Sequence, residues 1–248
     1  MNRPILFWAV WAFGLSCCSS AFAQGDAQFA KANQEYAAGH FKEAVDAYEQ
    51  AVRSGDVSAN IFYDLGNAYF HTADFGRAIL NYERALALDR HHPEAQANLR
   101  FARDEARALE ITLPTPTRFA EVATVNQYAI SAAIGFWIAI FCFAGWMFSN
   151  RRSGRTVAVS ILALLVCASA IAGIFLVENG NKGRGLAVVT GRDVTARLAT
   201  ADSAQSVLGL PSGSEVRILS ERGDWVFAVL PSDLRGWIQT KDVEPVRL

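Results

Sequence analysis

Phe41-Lys42-Glu43-Ala44-Val45-Asp46-Ala47-Tyr48-Glu49-Gln50-Ala51-Val52 and Phe75-Gly76-Arg77-Ala78-Ile79-Leu80-Asn81-Tyr82-Glu83-Arg84-Ala85-Leu86 carry one pattern twice, 34 residues apart. Phenylalanine, two alanines, tyrosine and glutamate recur in place, and Val45 and Val52 return as Ile79 and Leu86. Upstream, Asn33 returns as Asn67. A period of this length is one helix-turn-helix unit, so stacked antiparallel helix pairs are expected. Ala44, Ala51, Ala78 and Ala85 fall where two helices approach closely, because a larger side chain there would push them apart. Tyr48 and Tyr82 are large enough to fill the space between successive pairs.

The period and the stretch Phe62-Tyr63-Asp64-Leu65-Gly66-Asn67-Ala68-Tyr69 resemble tetratricopeptide repeats, whose arrays bind other proteins. The expected repeats are about 25–58 and 59–92, with a capping helix over 93–109, in a domain spanning 24–110. The first repeat has Lys31-Ala32 where the second has Leu65-Gly66. It keeps Gly39 in its turn, where a positive φ suits glycine. The second repeat has Ala73 at that turn, and Arg90 where the family places proline. After Pro93, Leu99, Ala102 and Ala106 share a face that would seal the open end of the array.

Apolar residues make up 52% of 248, and their distribution divides the chain. Residues 1–23 hold Arg3, the apolar run Ile5 to Leu15, and Ala21-Phe22-Ala23, the three parts of a secretory signal cleaved after Ala23. Lipidation at Cys17 or Cys18 is the alternative. Residues 128–148 and 156–177 hold no charged side chain and are each long enough to cross a hydrocarbon core of about 30 Å. Between them, the loop 149–155 carries Arg151, Arg152 and Arg155 and no acid, which places it in the cytoplasm and both flanking domains outside. Ser131, Gly135 and Ala139, and Ser169 with Gly173, are small residues at helical spacing that would let the two spans touch. Without an ionisable group in either span, the hairpin reads as an anchor rather than a transport path. The four cysteines fall in the leader or the spans, so no disulfide framework is expected outside.

Linkers are expected at 111–127, through Pro114 and Pro116, and at 178–186. Beyond them come short strands: Val188-Val189, Val194 to Arg197, Ser206 to Leu208, Glu215 to Leu219, Trp225 to Val229 and Gly236 to Ile238. The segments Val194-Thr195-Ala196-Arg197, Leu210-Pro211-Ser212-Gly213-Ser214-Glu215-Val216, Gly223-Asp224-Trp225-Val226 and Gly236-Trp237-Ile238 resemble a bacterial SH3-like domain over 187–248. The family commonly shows Val-Arg-x-Gly-Pro at the first of these segments, whereas here Arg197 is followed by Leu198-Ala199. The expected fold class is therefore multidomain: an all-α tetratricopeptide repeat domain, two transmembrane helices and a C-terminal all-β SH3-like barrel.

In this order the parts resemble the BatE family of aerotolerance operons, most closely from Leu65-Gly66-Asn67-Ala68-Tyr69 through Gly76 to Ala85. The resemblance implies a bacterial inner-membrane protein with both soluble domains periplasmic. It also implies partners among membrane proteins with von Willebrand-type domains, beside a cytoplasmic MoxR-type ATPase.

If the first helix of each pair lines a concave groove, that groove holds Phe29, Asn33, Tyr36, Tyr63, Asn67, Phe70, His71 and Phe101, with Glu94 and Ala97 alongside. Asparagine amides there can donate to and accept from a partner's backbone, and aromatic rings supply buried anchors. Solvation of the groove, with its rings packed on neighbouring helices, is the plainer alternative. Arg197, Trp225 and Trp237 form a candidate ligand surface on the SH3-like domain, or else pack as half-exposed core. Residues 24–125 carry 15 acids and 10 bases, which disfavours nucleic acid as a partner; residues 178–248 balance at nine each. Metalloprotease, Cys-x-x-Cys, Gly-x-Ser-x-Gly and phosphate-loop motifs are absent from the outer segments. Adjacent His91 and His92 would point about 100° apart on a helix, which suits no shared metal. No enzyme activity or cofactor is expected. Two function classes remain: a membrane-anchored scaffold working through the groove, and an adaptor that binds murein peptide through the SH3-like tail.

Overall fold

The computed structural model describes residues 27–111, 123–148, 154–179 and 185–247. The expected leader with Cys17, Cys18 and Ala23, most of both linkers, and Arg151 and Arg152 lie outside the described residues. The chain forms two units: one joins residues up to Glu110 with those from Ala187 onward, and the other is Ile111–Leu186.

Five helices open the first unit: α1 over residues 27–37, α2 (Phe41–Arg53), α3 (Ala59–His71), α4 (Phe75–Leu88) and α5 (Pro93–Ala106). The starts of α3, α4 and α5 are fixed by side chains that satisfy free backbone donors. Ser58 accepts from the Ile61 amide at 3.2 Å, Asp74 from the Arg77 amide at 3.2 Å, and His92 from the Ala95 amide at 3.3 Å. The repeated alanines are all fully buried, as are Tyr48 and Tyr82 at 1% exposure each. Gly66 is required by Tyr82, since a Cβ at that glycine would lie 2.7 Å from the ring. Gly39 turns α1 into α2 at φ +80°, and Ala73 makes the matching turn at φ +58°. The second repeat therefore adopts the left-handed turn without the residue that suits it.

Helix α5 ends at Ala106, three residues before the expected 109, because Arg107 adopts φ +51°. Leu109 then leaves the helical path and joins the β region, where its carbonyl accepts from the Glu215 amide at 2.9 Å.

Seven strands follow: β1 (Leu186–Val189), β2 (Val194–Arg197), β3 (Ser206–Leu210), β4 (Glu215–Arg222), β5 (Trp225–Val229), β6 (Arg235–Gln239) and β7 (Val243–Pro245). The sheet order is β3-β2-β6-β5-β4-β1-β7, with antiparallel pairing throughout the registers described. Its edges are β3 and β7, so the expected barrel is an open sheet. The β7 end meets the repeat helices, where Arg84 donates to the Pro245 carbonyl at 3.0 Å. Val189, Ala196, Leu210, Val216, Val226, Ala228 and Ile238 build its buried core.

Helices and sheet belong to one unit because α4 carries two opposed packing faces. Ala78, Tyr82 and Ala85 pack within the repeats, while Gly76, Ile79 and Glu83 form a second stripe turned to the strands. A Cβ at Gly76 would meet the Ser212 hydroxyl at 2.1 Å, and one at Gly213 would meet Ile79 at 2.3 Å. Gly213 also has φ +89°, a backbone region costly for any other residue. At the centre, one terminal nitrogen of Arg103 donates to both Glu83 and Glu215. These carboxylates are 5% and 1% exposed, while the other terminal nitrogen pairs with exposed Glu110 at 3.3 Å.

The second unit holds α6 (Val125–Phe148) and α7 (Gly154–Asn179), both long and apolar enough to cross a membrane. Helix α6 starts three residues before the expected span because Thr124 and Gln127 bond each other's amides, a reciprocal cap at 2.9 and 3.2 Å. The helices touch at small residues: a Cβ at Gly135 would lie 2.9 Å from the Ala163 carbonyl, and one at Gly173 would lie 2.7 Å from the Tyr128 ring. Ala139, Ala163 and Ala170 are buried, whereas Ser131 and Ser169 are exposed. The serines turn off the seam and bond carbonyls of their own helices, Gln127 and Val166.

Two substitutions test the turn and the junction by chemical denaturation of the full-length protein in detergent. Ala73→Gly relieves the left-handed turn and should raise stability by about 1 kcal/mol. Gly213→Ala forces both a strained φ and an overlap with Ile79, and should lower it by about 2–3 kcal/mol.

Candidate functional site

Helices α1, α3 and α5 lie side by side, and between them opens a cleft of about 420 Å³. Tyr36, Tyr63, Asn67, Phe70, His71, Asn98 and Phe101 line it, with Tyr82 reaching in from α4. Six of the eight residues expected in a groove therefore share one wall system. The other two, Phe29 and Asn33, are not part of that lining; the Phe29 ring lies 6.0 Å from that of Tyr48.

The asparagines are held by a contact that repeats with the sequence. Tyr48 donates to the Asn33 Oδ1 at 2.6 Å, and Tyr82 donates to the Asn67 Oδ1 at 2.8 Å. Asn67 Oδ1 also accepts from Asn98 at 2.8 Å. Its carbonyl is thus engaged twice, which leaves the amide nitrogen to donate. Asn67 alone does not offer both halves of a backbone grip; the complementary acceptor is the Asn98 carbonyl. Reading along α3 alone misses Asn98. Carrying the 34-residue period one step further gives Ala97 from Tyr63 and Phe101 from Asn67, whereas Asn98 corresponds to Asp64, which the repeat pattern does not single out.

The aromatic residues divide into packed and offered rings. His71 stacks on Phe41 at 4.2 Å and meets Tyr36 edge-on at 5.7 Å, so its ring is partly spent on packing. Phe70 packs against Phe75 at 5.4 Å. Phe101, in contrast, is 68% exposed on the cleft wall and is free to bury itself against a partner. Tyr36, Tyr48 and Tyr82 have hydroxyls pushed above their ordinary pKa, first by burial, and they remain neutral donors.

Asp64 is the charged group beside this constellation. It is half-buried on α3 next to Tyr63, and burial pushes its carboxyl up to about 6, with His92 pulling the other way. Its carboxylate has no hydrogen bond or ion pair among the described residues. Of the expected Glu94 and Ala97, Glu94 is exposed, 3.1 Å from the His92 ring, which caps α5. His91 is an exposed turn residue whose amide is bonded by Asp89.

On the sheet, Trp225 and Trp237 sit on one face, diagonally across β5 and β6, with Phe227 opposite Trp237 at 5.0 Å. Arg222 lies over the Trp237 ring at 5.7 Å. Arg197 is paired with Trp237 across β2 and β6, but its guanidinium donates to the Ala204 carbonyl at 2.9 Å and so holds its own loop. The aromatic face is half-exposed, and Arg222, which the sequence does not single out, supplies its cation.

The tetratricopeptide repeat family matches residues 59–92, the segment that holds α3 and α4. The chain thus contains such a repeat, and domains built of them are typically non-catalytic scaffolds that bind proteins. No curated protein matches the chain.

Asp64 gives a test of the cleft's electrostatics. An acid whose folded pKa is raised costs stability wherever it is ionised, so the penalty grows as pH rises from about 4 to 6 and persists above. Asp64→Asn should therefore stabilise the protein at pH 7.5, by about 1 kcal/mol after solvent screening of the half-exposed group. By about pH 4 the gain should vanish. Denaturation curves at the two pH values measure this.

Proposed function

We propose that this protein is a non-enzymatic, membrane-anchored scaffold whose repeat cleft captures an extended segment of a protein partner. The single observation that carries the reading is the pairing of a donor from Asn67 with an acceptor from Asn98 between exposed Phe101 and the Tyr36–His71 cluster. A peptide backbone offers one carbonyl and one amide per residue, and the two asparagines complement both. Phe101 supplies the apolar anchor, and an anchor of this kind contributes most of the energy of such contacts.

The membrane reading draws on the two apolar helices and on where the chain leaves and re-enters the folded unit. The Leu109 amide donates to the Ser214 hydroxyl at 3.1 Å, and the Val189 amide donates to the Ser214 carbonyl at 2.9 Å. The segments leading into and out of the hairpin thus meet at one residue. This supports repeats and sheet on the same side of a membrane, with the arginine-bearing loop on the other; the arginines make that loop cytoplasmic. The resemblance to the BatE family extends the proposal to a periplasmic complex with von Willebrand-type membrane proteins.

The Trp225, Phe227 and Trp237 face supports a second reading, an adaptor that binds murein peptide through an SH3-like tail. Crosslinked membranes distinguish the two. Affinity capture of the full-length chain should enrich specific membrane proteins, and Phe101→Ser with Asn98→Ala should reduce that enrichment at least tenfold with helicity unchanged. Enrichment unaltered by the double change would reject the cleft. Co-sedimentation with purified murein that is lost in Trp237→Ala would move the function to the sheet.

A further inference from the structure

The outer face of the sheet is sorted by charge as well as by aromaticity. Side chains directly opposite one another on antiparallel strands share a face. The register puts Arg222 beside Trp225, Ser220 and Trp237 on either side of Phe227, and Arg217 and Arg235 on either side of Val229. Arg197 stands beside Trp237 from β2. The residues between them, Ala196, Val226, Ala228 and Ile238, point into the buried core. All four basic residues of β2 to β6 therefore lie on one face, together with three aromatic rings. Those strands contain two acids. Glu221 pairs in register with buried Val226, on the opposite face, and Glu215 is held by Arg103.

One end of the face is closed, with Glu215 and Val229 at 1% and 5% exposure. The rest is open: Arg222 and Arg235 are exposed, and Arg197, Trp225, Phe227 and Trp237 are half-buried. Neither Arg222 nor Arg235 has an ion pair among the described residues. Arg222 lies over the Trp237 ring, which orients a guanidinium without consuming its donors. Beside the strands, Asp202 is already taken by Gln239 at 2.7 Å. Half-exposed tryptophans framed by unpaired arginines match the chemistry of a lipid–water interface, where tryptophan concentrates. Each basic residue near an anionic membrane surface strengthens attachment roughly fivefold. Chain length favours the same occupant. Only residues 180–185 stand between α7, which ends at Asn179, and β1, which starts at Leu186. An extended chain of that length reaches about 25 Å at most.

We propose that this open face docks on the anionic headgroup surface of the membrane, a docking that presupposes the anchored hairpin proposed above. Trp225 and Trp237 sit at the interface, and Arg197, Arg222 and Arg235 take lipid phosphates. The short tether makes the contact effectively intramolecular, so individually weak interactions suffice. It also favours a surface that is always within reach over a polymer that must diffuse to the face.

The test uses the full-length protein carrying Trp8→Phe, Trp11→Phe, Trp137→Phe and Trp146→Phe, which leaves Trp225 and Trp237 as reporters. It is reconstituted into vesicles that are half phosphatidylcholine brominated near the headgroup end of its chains. The other half is either plain phosphatidylcholine or phosphatidylglycerol. Tryptophan quenching should be about twofold greater with phosphatidylglycerol, and high salt should reverse the difference by screening the headgroups. Arg222→Gln with Arg235→Gln should bring quenching down to the phosphatidylcholine level while circular dichroism stays unchanged. Equal quenching in the two vesicles would overturn the proposal. A larger emission change on adding purified murein to vesicles without phosphatidylglycerol than phosphatidylglycerol itself produces would assign the face to murein and overturn it as well. Alkaline extraction of the vesicles reads the anchor separately. Protein lost on extraction would reject the anchored hairpin and the docking with it, whereas retained protein with equal quenching would reject the docking alone.

Discussion

The guanidinium of Arg103 is shared by two buried carboxylates that the chain supplies from different halves, Glu83 on α4 and Glu215 on β4. A buried carboxylate deprived of its partner costs about 3–5 kcal/mol, more than most single contacts contribute. The strands therefore cannot bury Glu215 well without the helices, whereas Glu83 finds Arg103 within its own half. Glycine on both sides of the seam lets the backbones come close enough for one arginine to reach both acids. A larger residue at Gly76 or Gly213 would hold α4 and the 211–215 turn apart.

This constraint orders the rest of the unit. With one stripe of α4 committed to the strands, the remaining surfaces of the repeats are the aromatic cleft and a basic cavity near β7. The cleft is built by first helices and uses neutral donors, acceptors and rings. The cavity lies among α2, α3 and α4 and uses charge. The same sheet that completes the buried triad also places Glu244 at Arg77 and Arg84 of that cavity, so the geometry of the two is coupled. The open sheet follows from this as well. Its β7 end is occupied by contacts with the helices rather than by pairing with β3.

Much of the helical part was legible because its contacts are local and periodic. The 34-residue recurrence located the buried alanines, the packing tyrosines and the asparagines those tyrosines hold. Glycine content misled only at Ala73, where the turn persists at φ +58° because the flanking helices over-determine it. The strands were legible from alternation except β7, which at three residues ending in proline carries no pattern. The seam between helices and strands was not legible. Arg103 and Glu215 are 112 residues apart with the hairpin between them, and no periodicity connects residues at that distance. Asn98 lay between these cases, in register with the repeats but beyond the second copy. Ser131 and Ser169 show the limit of spacing alone: small residues at helical intervals touched the partner helix only where the seam ran, at Gly135 and Gly173.

The separation of Arg103 from Glu215 also sets a timetable for synthesis. Chains grow at about 5–20 residues per second, so the 112 residues between them take roughly 6–22 seconds to appear. Throughout that interval the repeat helices exist but β4, which carries Glu215, does not. Glu83 already has Arg103, yet the stripe of Gly76 and Ile79 waits uncovered while two long apolar helices are synthesised. A nascent chain of this kind is exposed to chaperones and proteases at its α4 surface until translation is nearly complete. Termination anywhere before Glu215 would leave a helical repeat domain with the Gly76 and Ile79 stripe of α4 uncovered.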